Sequence, residues 1–380
     1  MAEHKKHHYV PRFYLKLFSE NGRSINLFNI RSQRSVIDGG LKNQCYRDYF
    51  YGKDLQTEKA LSLVEGQMSR VLNAVQSGCA LPSRKSEDHL TFLLHVLMQH
   101  TRTAYSIDAY DEQIDKLMKY LMAPKMKEMN LSPEQIANIK ITQKDSARFA
   151  LGMATPHYPL LIDLDWKLLR ATGTHEFITS DNPVVYYNQF FSFRRSGSNT
   201  GLASKGLQIF FPVSPKHLVV LYDSKVYGVG SKKSDVVDVS NARDAEQLNR
   251  LQFVSALENV YFHGKCFPVH QEFRASERYR RPQKSNMQVF PGEETAEHRK
   301  ELLMMSRVDV RTELELSFLR LLKPAKEWRR AFQAMNPQPA VVVRNEPLMK
   351  EHKNFMELVD AKRYRPGEFS KYIREKYPTS

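Results

Sequence analysis

Two apolar runs, LQIFFPVSP (Leu207–Pro215) and KHLVVLYD (Lys216–Asp223), decide the fold class. Both are crowded with Val, Ile, Leu, Phe and Tyr, residue types that fit a pleated and buried surface, and a Ser-Pro turn signal divides them. Upstream, LLIDLDWKLLRA from Leu160 and HEFITSDNPVVYY from His175 have the same character. Residues from about 160 to 227 therefore read as a central, mostly antiparallel sheet. On its N-terminal side, from about 57 to 150, the period becomes helical. Leu61, Val64, Met68, Val71, Leu72 and Val75 form one stripe, and Leu90, Leu93, Leu94, Leu97, Met98 and Tyr105 form another behind the cap signal Ser86-Glu87-Asp88. Two more helical runs follow, over 110–127 and 133–153. Asn241 to His263 returns to helical spacing.

The stretch from Tyr9 to Ile37 reads as short strands, with Asn21-Gly22 as a hairpin turn between YVPRFYLKLF and INLFNI. After Phe267 the segment SERYRRPQKSNMQ lacks an apolar stripe and reads as an exposed linker. Beyond it, 295–305 and 310–322 read as short helices. The expectation is an α+β fold with an N-terminal β-hairpin, a helical block, a central mostly antiparallel sheet and a basic C-terminal appendage. The main domain spans 7–265 and the C-terminal region 266–380.

A length of 380 residues with 41% hydrophobic and 26% charged residues suits a chain that buries a sizeable core. Lys and Arg total 57 against 42 Asp and Glu, a formal net charge of +15, so polyanions, nucleic acid first among them, are the expected partners. A protein partner or a homo-oligomer is compatible with the same surface. No run approaches the roughly 20 apolar residues of a membrane helix, and MAEHKKHHYV has no apolar signal region. Cys45, Cys79 and Cys266 form no CxxC pair and no disulfide framework. A cytoplasmic protein without a membrane segment is expected. The phosphate-loop, dinucleotide, zinc-protease and nucleophile-elbow signatures are missing.

Four places concentrate chemistry. His7 and His8, with Tyr9, Arg12 and Tyr14, precede the expected hairpin, and paired histidines suit a general base or a metal ligand. The HHxxP spelling resembles that of ββα-metal nucleases, but no Asn or His follows on a helix at the expected distance; a solvated charge cluster is the plain alternative. Glu58 and Glu65 lie seven apart on one helix side, as metal ligands or boundary charges. His95, Gln99 and Arg102 share a helical face suited to a phosphate or carboxylate, or form an ordinary polar face. Asp181 in TSDNPV stands at a strand end, either to bind a metal or to close an Asx turn on nearby amides. Separately, Arg278, Tyr279, Arg280, Arg281 and Lys284 suit phosphate contacts with base stacking, or a solvated loop.

The chain resembles a bacterial domain-of-unknown-function family, number four-two-three-eight. HHYVPRFYL (His7–Leu15), Leu63-Val64-Glu65-Gly66, QHTR (Gln99–Arg102), TSDNPV (Thr179–Val184), FPVSP (Phe211–Pro215) and Leu248-Asn249 with Gln252 carry the likeness over about 7–265. The resemblance implies no activity, but its motifs fall on the polar groups above. It implies that His8, Glu65, Arg102 and Asp181 converge on one pocket. The leading expectation is a metal-dependent nuclease of a bacterial antiviral defence or toxin system. In it His8 is base or ligand, Glu65 and Asp181 hold Mg or Mn, and Arg102 stabilises phosphate charge. The nucleic-acid contacts are Arg12 and the 278–284 segment. The alternatives are a non-catalytic nucleic-acid-binding or complex-forming protein, and a small-molecule or nucleotide sensor.

Overall fold

The computed structural model describes residues 5–53, 56–194, 199–264, 276, 280, 285–295, 298–308, 310, 312–335 and 341–377. The N-terminal part comprises β1 (Lys6–His8), α1 (Arg12–Lys16), β2 (Ser24–Asn29), β3 (Arg34–Gly40) and β4 (Tyr46–Asp48). A helical block follows: α2 (Gln56–Gly78), α3 (Glu87–Thr101), α4 (Ala104–Glu128), α5 (Pro133–Asn138) and α6 (Ser146–Ala154). Next come β5 (Asp165–Ala171), β6 (Thr179–Ser180), β7 (Val185–Tyr187), β8 (Gln208–Ser214), β9 (His217–Tyr222), β10 (Tyr227–Val229), β11 (Val236–Val239), α7 (Ala242–Ser255) and β12 (Asn259–Phe262). The C-terminal region adds β13 (Ser285–Thr295), β14 (His298–Arg307), β15 (Leu319–Leu321), α8 (Lys323–Ala334), α9 (Glu346–Asp360) and α10 (Phe369–Lys376). The fold is α+β, with mostly antiparallel sheets.

The five-stranded sheet has the order β11-β5-β9-β8-β7, antiparallel except for β11 beside β5. Its strands read as unbroken apolar runs because both faces are covered. Val219 and Leu221 of β9 pack with Leu72 of α2 and Phe92 and Val96 of α3, whereas the intervening Leu218, Val220 and Tyr222 pack with Leu248 and Leu251 of α7. A four-stranded antiparallel sheet, β3-β2-β12-β6, lies alongside and divides its side chains in the same way. Phe28 and Val260 join the α7 side, and Leu27 and Tyr261 join the α2–α3 side.

Several sequence expectations are corrected here. The Asn21-Gly22 turn exists, with Gly22 at a φ of +67° and the Asn21 side chain accepting from the Arg23 and Ser24 amides. It joins a helix to a strand, because FYL of the expected first strand coils into α1 and buries Tyr14 and Leu15. The ribbon pairs β2 with β3 instead, and its turn is set by Asn29, whose side-chain oxygen takes the Ser32 amide. The helical run expected over 133–153 breaks into α5 and α6. Past α7 the chain straightens into β12 rather than staying helical to His263. The 295–305 stretch is rich in helix-forming Glu, Lys, Leu and Met, yet 298–307 is β14, because pairing with β13 overrides local propensity. In 312–316, Thr312, Leu314 and Leu316 are buried while Glu313 and Glu315 are exposed, a period of two rather than of a helix. The C-terminal region shares the main core: β15 pairs with β10, and Leu314, Leu316, Ala325 and Phe332 pack among the sheet and α7 residues.

One hydroxyl ties α1 to both sheets. β7 stops opposite Phe210, so beyond that point this edge of β8 has no strand neighbour among the described residues. That break accommodates Pro212, which has no amide hydrogen to give. The buried Tyr14 hydroxyl donates to the Pro212 carbonyl at 2.7 Å and lies 2.6 Å from the Thr179 hydroxyl of β6. Tyr14→Phe strands both partners in the interior and is expected to cost about 1–3 kcal/mol by chemical denaturation; a loss within error of zero contradicts this role.

Candidate functional site

β1 pairs antiparallel with β4, placing His7 opposite Arg47 and His8 opposite Tyr46. Successive strand residues point to opposite sides, so only one histidine of the pair can face the helical block. It is His7. Its ring is fully buried and stacked on Tyr51, with centroids 5.7 Å apart. His7 Nδ1 accepts the Tyr51 amide at 3.1 Å, which leaves the neutral ring's proton on Nε2, 3.4 Å from a Glu58 carboxylate oxygen. The His8 ring turns the other way, 6.0 Å from the Tyr46 ring. Burial, helped by the nearby Arg12 charge, pulls its pKa down to about 4, and its Nε2 is buried without a hydrogen-bond partner.

Below the His7 ring the expected cation and carboxylate meet. Arg102 caps the C-terminal end of α3 and is 1% exposed. Its Nη1 donates to Glu65 of α2 at 2.6 Å, and its Nε donates to Gln99 Oε1 at 3.0 Å. Gln99 in turn donates to the Tyr9 carbonyl at 3.0 Å, so QHTR grips the backbone of HHYVP. Burial works against the Arg102 charge, yet the Glu65 carboxylate and the Tyr51 phenol outweigh it and hold the pKa above its ordinary value. The Glu65 side chain keeps 25% exposure, so the pair is dry at one end and wet at the other.

Asp181 has a different occupation. Just after β6, its carboxylate accepts the amides of Leu257, Glu258 and Asn259 at 2.7, 2.7 and 2.9 Å, bracing the bend between α7 and β12. No hydrogen bond or ion pair among the described residues joins it to His8, Glu65 or Arg102. This is not the Asx turn expected on nearby amides, because the three amides it accepts lie 76 to 78 residues further along the chain. The rest of TSDNPV binds in the same manner: the Asn182 amide reaches the Ser255 carbonyl at 3.0 Å, and Ser180 meets Gln252 at 3.0 Å. Among the described residues no group of three or more His, Cys, Asp and Glu is placed to hold a metal ion, so His8, Glu65 and Asp181 do not gather as a ligand set. The expected four-residue pocket reduces to one pair, Glu65 with Arg102.

Of the expected nucleic-acid contacts, Arg12 is exposed at the start of α1. Arg280 donates to the Leu257 carbonyl at 2.8 Å, beside the negative end of α7. Arg278, Tyr279, Arg281 and Lys284 lie outside the described residues. Spacing alone missed His7 as the inward member of its pair, although the β1 alternation that selects it needs only the direction of one neighbour.

Burial lifts the Asp181 carboxyl from 3.8 to about 6, even against three amide donors that favour its charge. A folded-state pKa above the unfolded one means that this group favours the fold fully below about pH 4. That contribution is lost as the pH rises through about 6. Asp181→Asn is expected to flatten this segment of the stability-against-pH curve and, because an amide offers its NH₂ to waiting N–H donors, to lower stability at pH 7 by about 1–3 kcal/mol. Parallel wild-type and variant curves between pH 4 and 6 contradict the assignment.

Neither a search of curated proteins nor one of solved structures returned a match to this chain. A family model does match, over residues 6–265, which hold the whole N-terminal strap that runs from β1 to Tyr51, both helices of the ion pair and the Asp181 bend, and the chain therefore belongs to the family described as protein of unknown function DUF4238.

Proposed function

We propose that the chain is a nucleic-acid-binding protein whose strap cluster is architectural rather than catalytic. The observation that carries this reading is the commitment of Arg102: a guanidinium 1% exposed and bonded to Glu65 and Gln99 presents no open face to a phosphate. The excess positive charge, formally +15, is spent elsewhere, as at the exposed Lys362, Arg363 and Arg365 between α9 and α10 and at Arg12. Long-range attraction of a polyanion needs only such surface charge. A cytoplasmic setting goes with this reading, supported by the free thiols of Cys45 and Cys79. No helix among the described residues is long and apolar enough to cross a membrane.

Metal-assisted cleavage with Mg²⁺ or Mn²⁺ is the rival. Favouring it is His8, whose depressed pKa keeps the ring neutral at pH 7 and whose Nε2 has no partner. One set of assays separates the two. Binding of single- and double-stranded DNA and RNA, followed by anisotropy between about 50 and 200 mM salt, is expected to weaken linearly in log–log form, with the slope reduced by about one for each phosphate contact removed by Lys362→Gln or Arg363→Gln. Incubation with either metal is expected to leave the strands intact. Metal-dependent cleavage that disappears in His8→Ala, or no binding at the lowest salt, overturns the reading.

A further inference from the structure

Roughly 20 Å along α2 from Glu65, at the helix's C-terminal end, a thiol, an imidazole and a guanidinium meet. Cys79 follows Gly78, the last residue of α2. The five-stranded sheet supplies the other two groups. Its register sets Arg170 of β5 directly opposite His217 of β9, so both side chains stand on one face of the sheet. His217 Nε2 lies 3.5 Å from the Cys79 sulfur, and Arg170 Nη1 donates to that sulfur at 3.7 Å. Asp238 of β11 accepts from Arg170 Nε and Nη2 at 2.6 and 3.0 Å, which fixes the fork with Nη1 turned to the thiol.

Ser214 selects the tautomer of the imidazole. Its buried hydroxyl oxygen accepts the Lys216 amide at 3.2 Å and lies 3.1 Å from His217 Nδ1. The arrangement that also uses the hydroxyl proton gives it to Nδ1, which leaves the ring proton on Nε2, facing the sulfur. Burial, with the Arg170 charge beside it, holds the His217 pKa below its ordinary value and keeps the ring neutral at pH 7. Two N–H groups from different strands therefore face one sulfur. The thiolate is the reacting form of cysteine, and a guanidinium with a second donor beside it is the setting of a reactive thiol rather than an inert one.

The group is also within reach of solvent. Cys79 is half-buried, and Ser77, Gly78 and Ala80 around it are exposed. Cys45 is the contrast: it is buried, lies 3.1 Å from the Tyr261 hydroxyl, and burial raises its pKa. Both thiols are free, and no contact among the described residues joins Cys79 to another cysteine. A disulfide partner for Cys79 then comes from outside the chain.

We propose that Cys79 is a site of reversible S-thiolation by the disulfide of a small anionic thiol, with His217 and Arg170 facing the reacting sulfur. The Cys79 thiolate attacks one sulfur of the incoming disulfide. The new S–S bond forms as the old one breaks, and the departing thiolate keeps the electron pair and takes up the proton that Cys79 gave to solvent. The disulfide is itself the oxidant. Arg170 and the net charge of +15 favour an anionic partner over a cationic one. None of these residues belongs to the strap or to the surface charges of the nucleic-acid reading, so the proposal stands apart from it.

Incubation of the full chain with glutathione disulfide at pH 7, followed by intact mass and peptide mapping, tests it. One glutathione per chain is expected, on Cys79 and removable by excess reduced thiol. It is expected to form about tenfold or more faster than on Cys79 of the urea-unfolded chain. Arg170→Gln and His217→Gln are each expected to slow the adduct about fivefold or more while the chain stays folded, and Arg170→Lys to restore part of the rate. Cystamine, the disulfide of a cationic thiol, is expected to react more slowly than glutathione disulfide, with the gap narrowing as salt is raised. A folded-chain rate no greater than the unfolded one, unchanged rates in both Gln variants, or an adduct on another cysteine overturns the proposal. The first comparison uses no substitution, so a variant that fails to fold leaves it decisive. Faster reaction of cystamine overturns the choice of an anionic partner.

Discussion

A guanidinium taken out of water must find a carboxylate and enough acceptors for its N–H groups, or the fold that buries it does not persist. Arg102 meets that demand only when α2 brings Glu65, α3 brings Gln99 and the N-terminal strap closes over them with Tyr9 and Tyr51. Those segments are distant in sequence, so satisfying one side chain brings together the strap, the helical block and the sheet beneath it. Arg344 repeats the arrangement near the other terminus, tying the segment just before α9 to the 160–163 and 202–204 segments. Asp181 is the anionic counterpart, a carboxylate whose partners are all backbone amides.

This economy explains why family motifs that look catalytic in one dimension need not be so in three. HHYVP, QHTR, TSDNPV and the late-helix Asn249 and Gln252 are polar at positions the fold buries, and each answers a backbone group that would otherwise be stranded. A buried polar network of this kind rigidifies the packing of its elements as strongly as a catalytic cluster would. The open questions of chemistry shift to the surface, where the net charge resides, and to the thiol cluster at the end of α2.

Much of the architecture was legible in the residues. The apolar runs of β8 and β9, the stripes of α2 and α3 and the Ser86 cap all stand where their periods put them, because each pattern is long and local. The misreadings share a cause. FYL at 13–15, the β14 segment and the 256–263 stretch are short, and their state is decided by a partner outside the segment: distant Pro212 and Asp181 for the first and last, and the preceding strand β13 for β14. TELEL at 312–316 did carry its own period-two signal, masked by residues that favour helices when isolated. At the site, the Glu65–Arg102 meeting was foreseeable from charge and motif. The inward turn of His7 and the three-amide seat of Asp181 were not, since both depend on which strand lies opposite.

The central claim is that Glu65 and Arg102 exist for each other. A double-mutant cycle with Glu65→Gln, Arg102→Met and the pair, read by denaturant unfolding, measures it directly. The account predicts a coupling of about 2 kcal/mol or more, with Glu65→Gln worse than the double variant because it alone leaves a guanidinium buried and unpaired. Additive effects, with each single variant as stable as the wild type, contradict it and return both side chains to the list of groups held ready for a ligand.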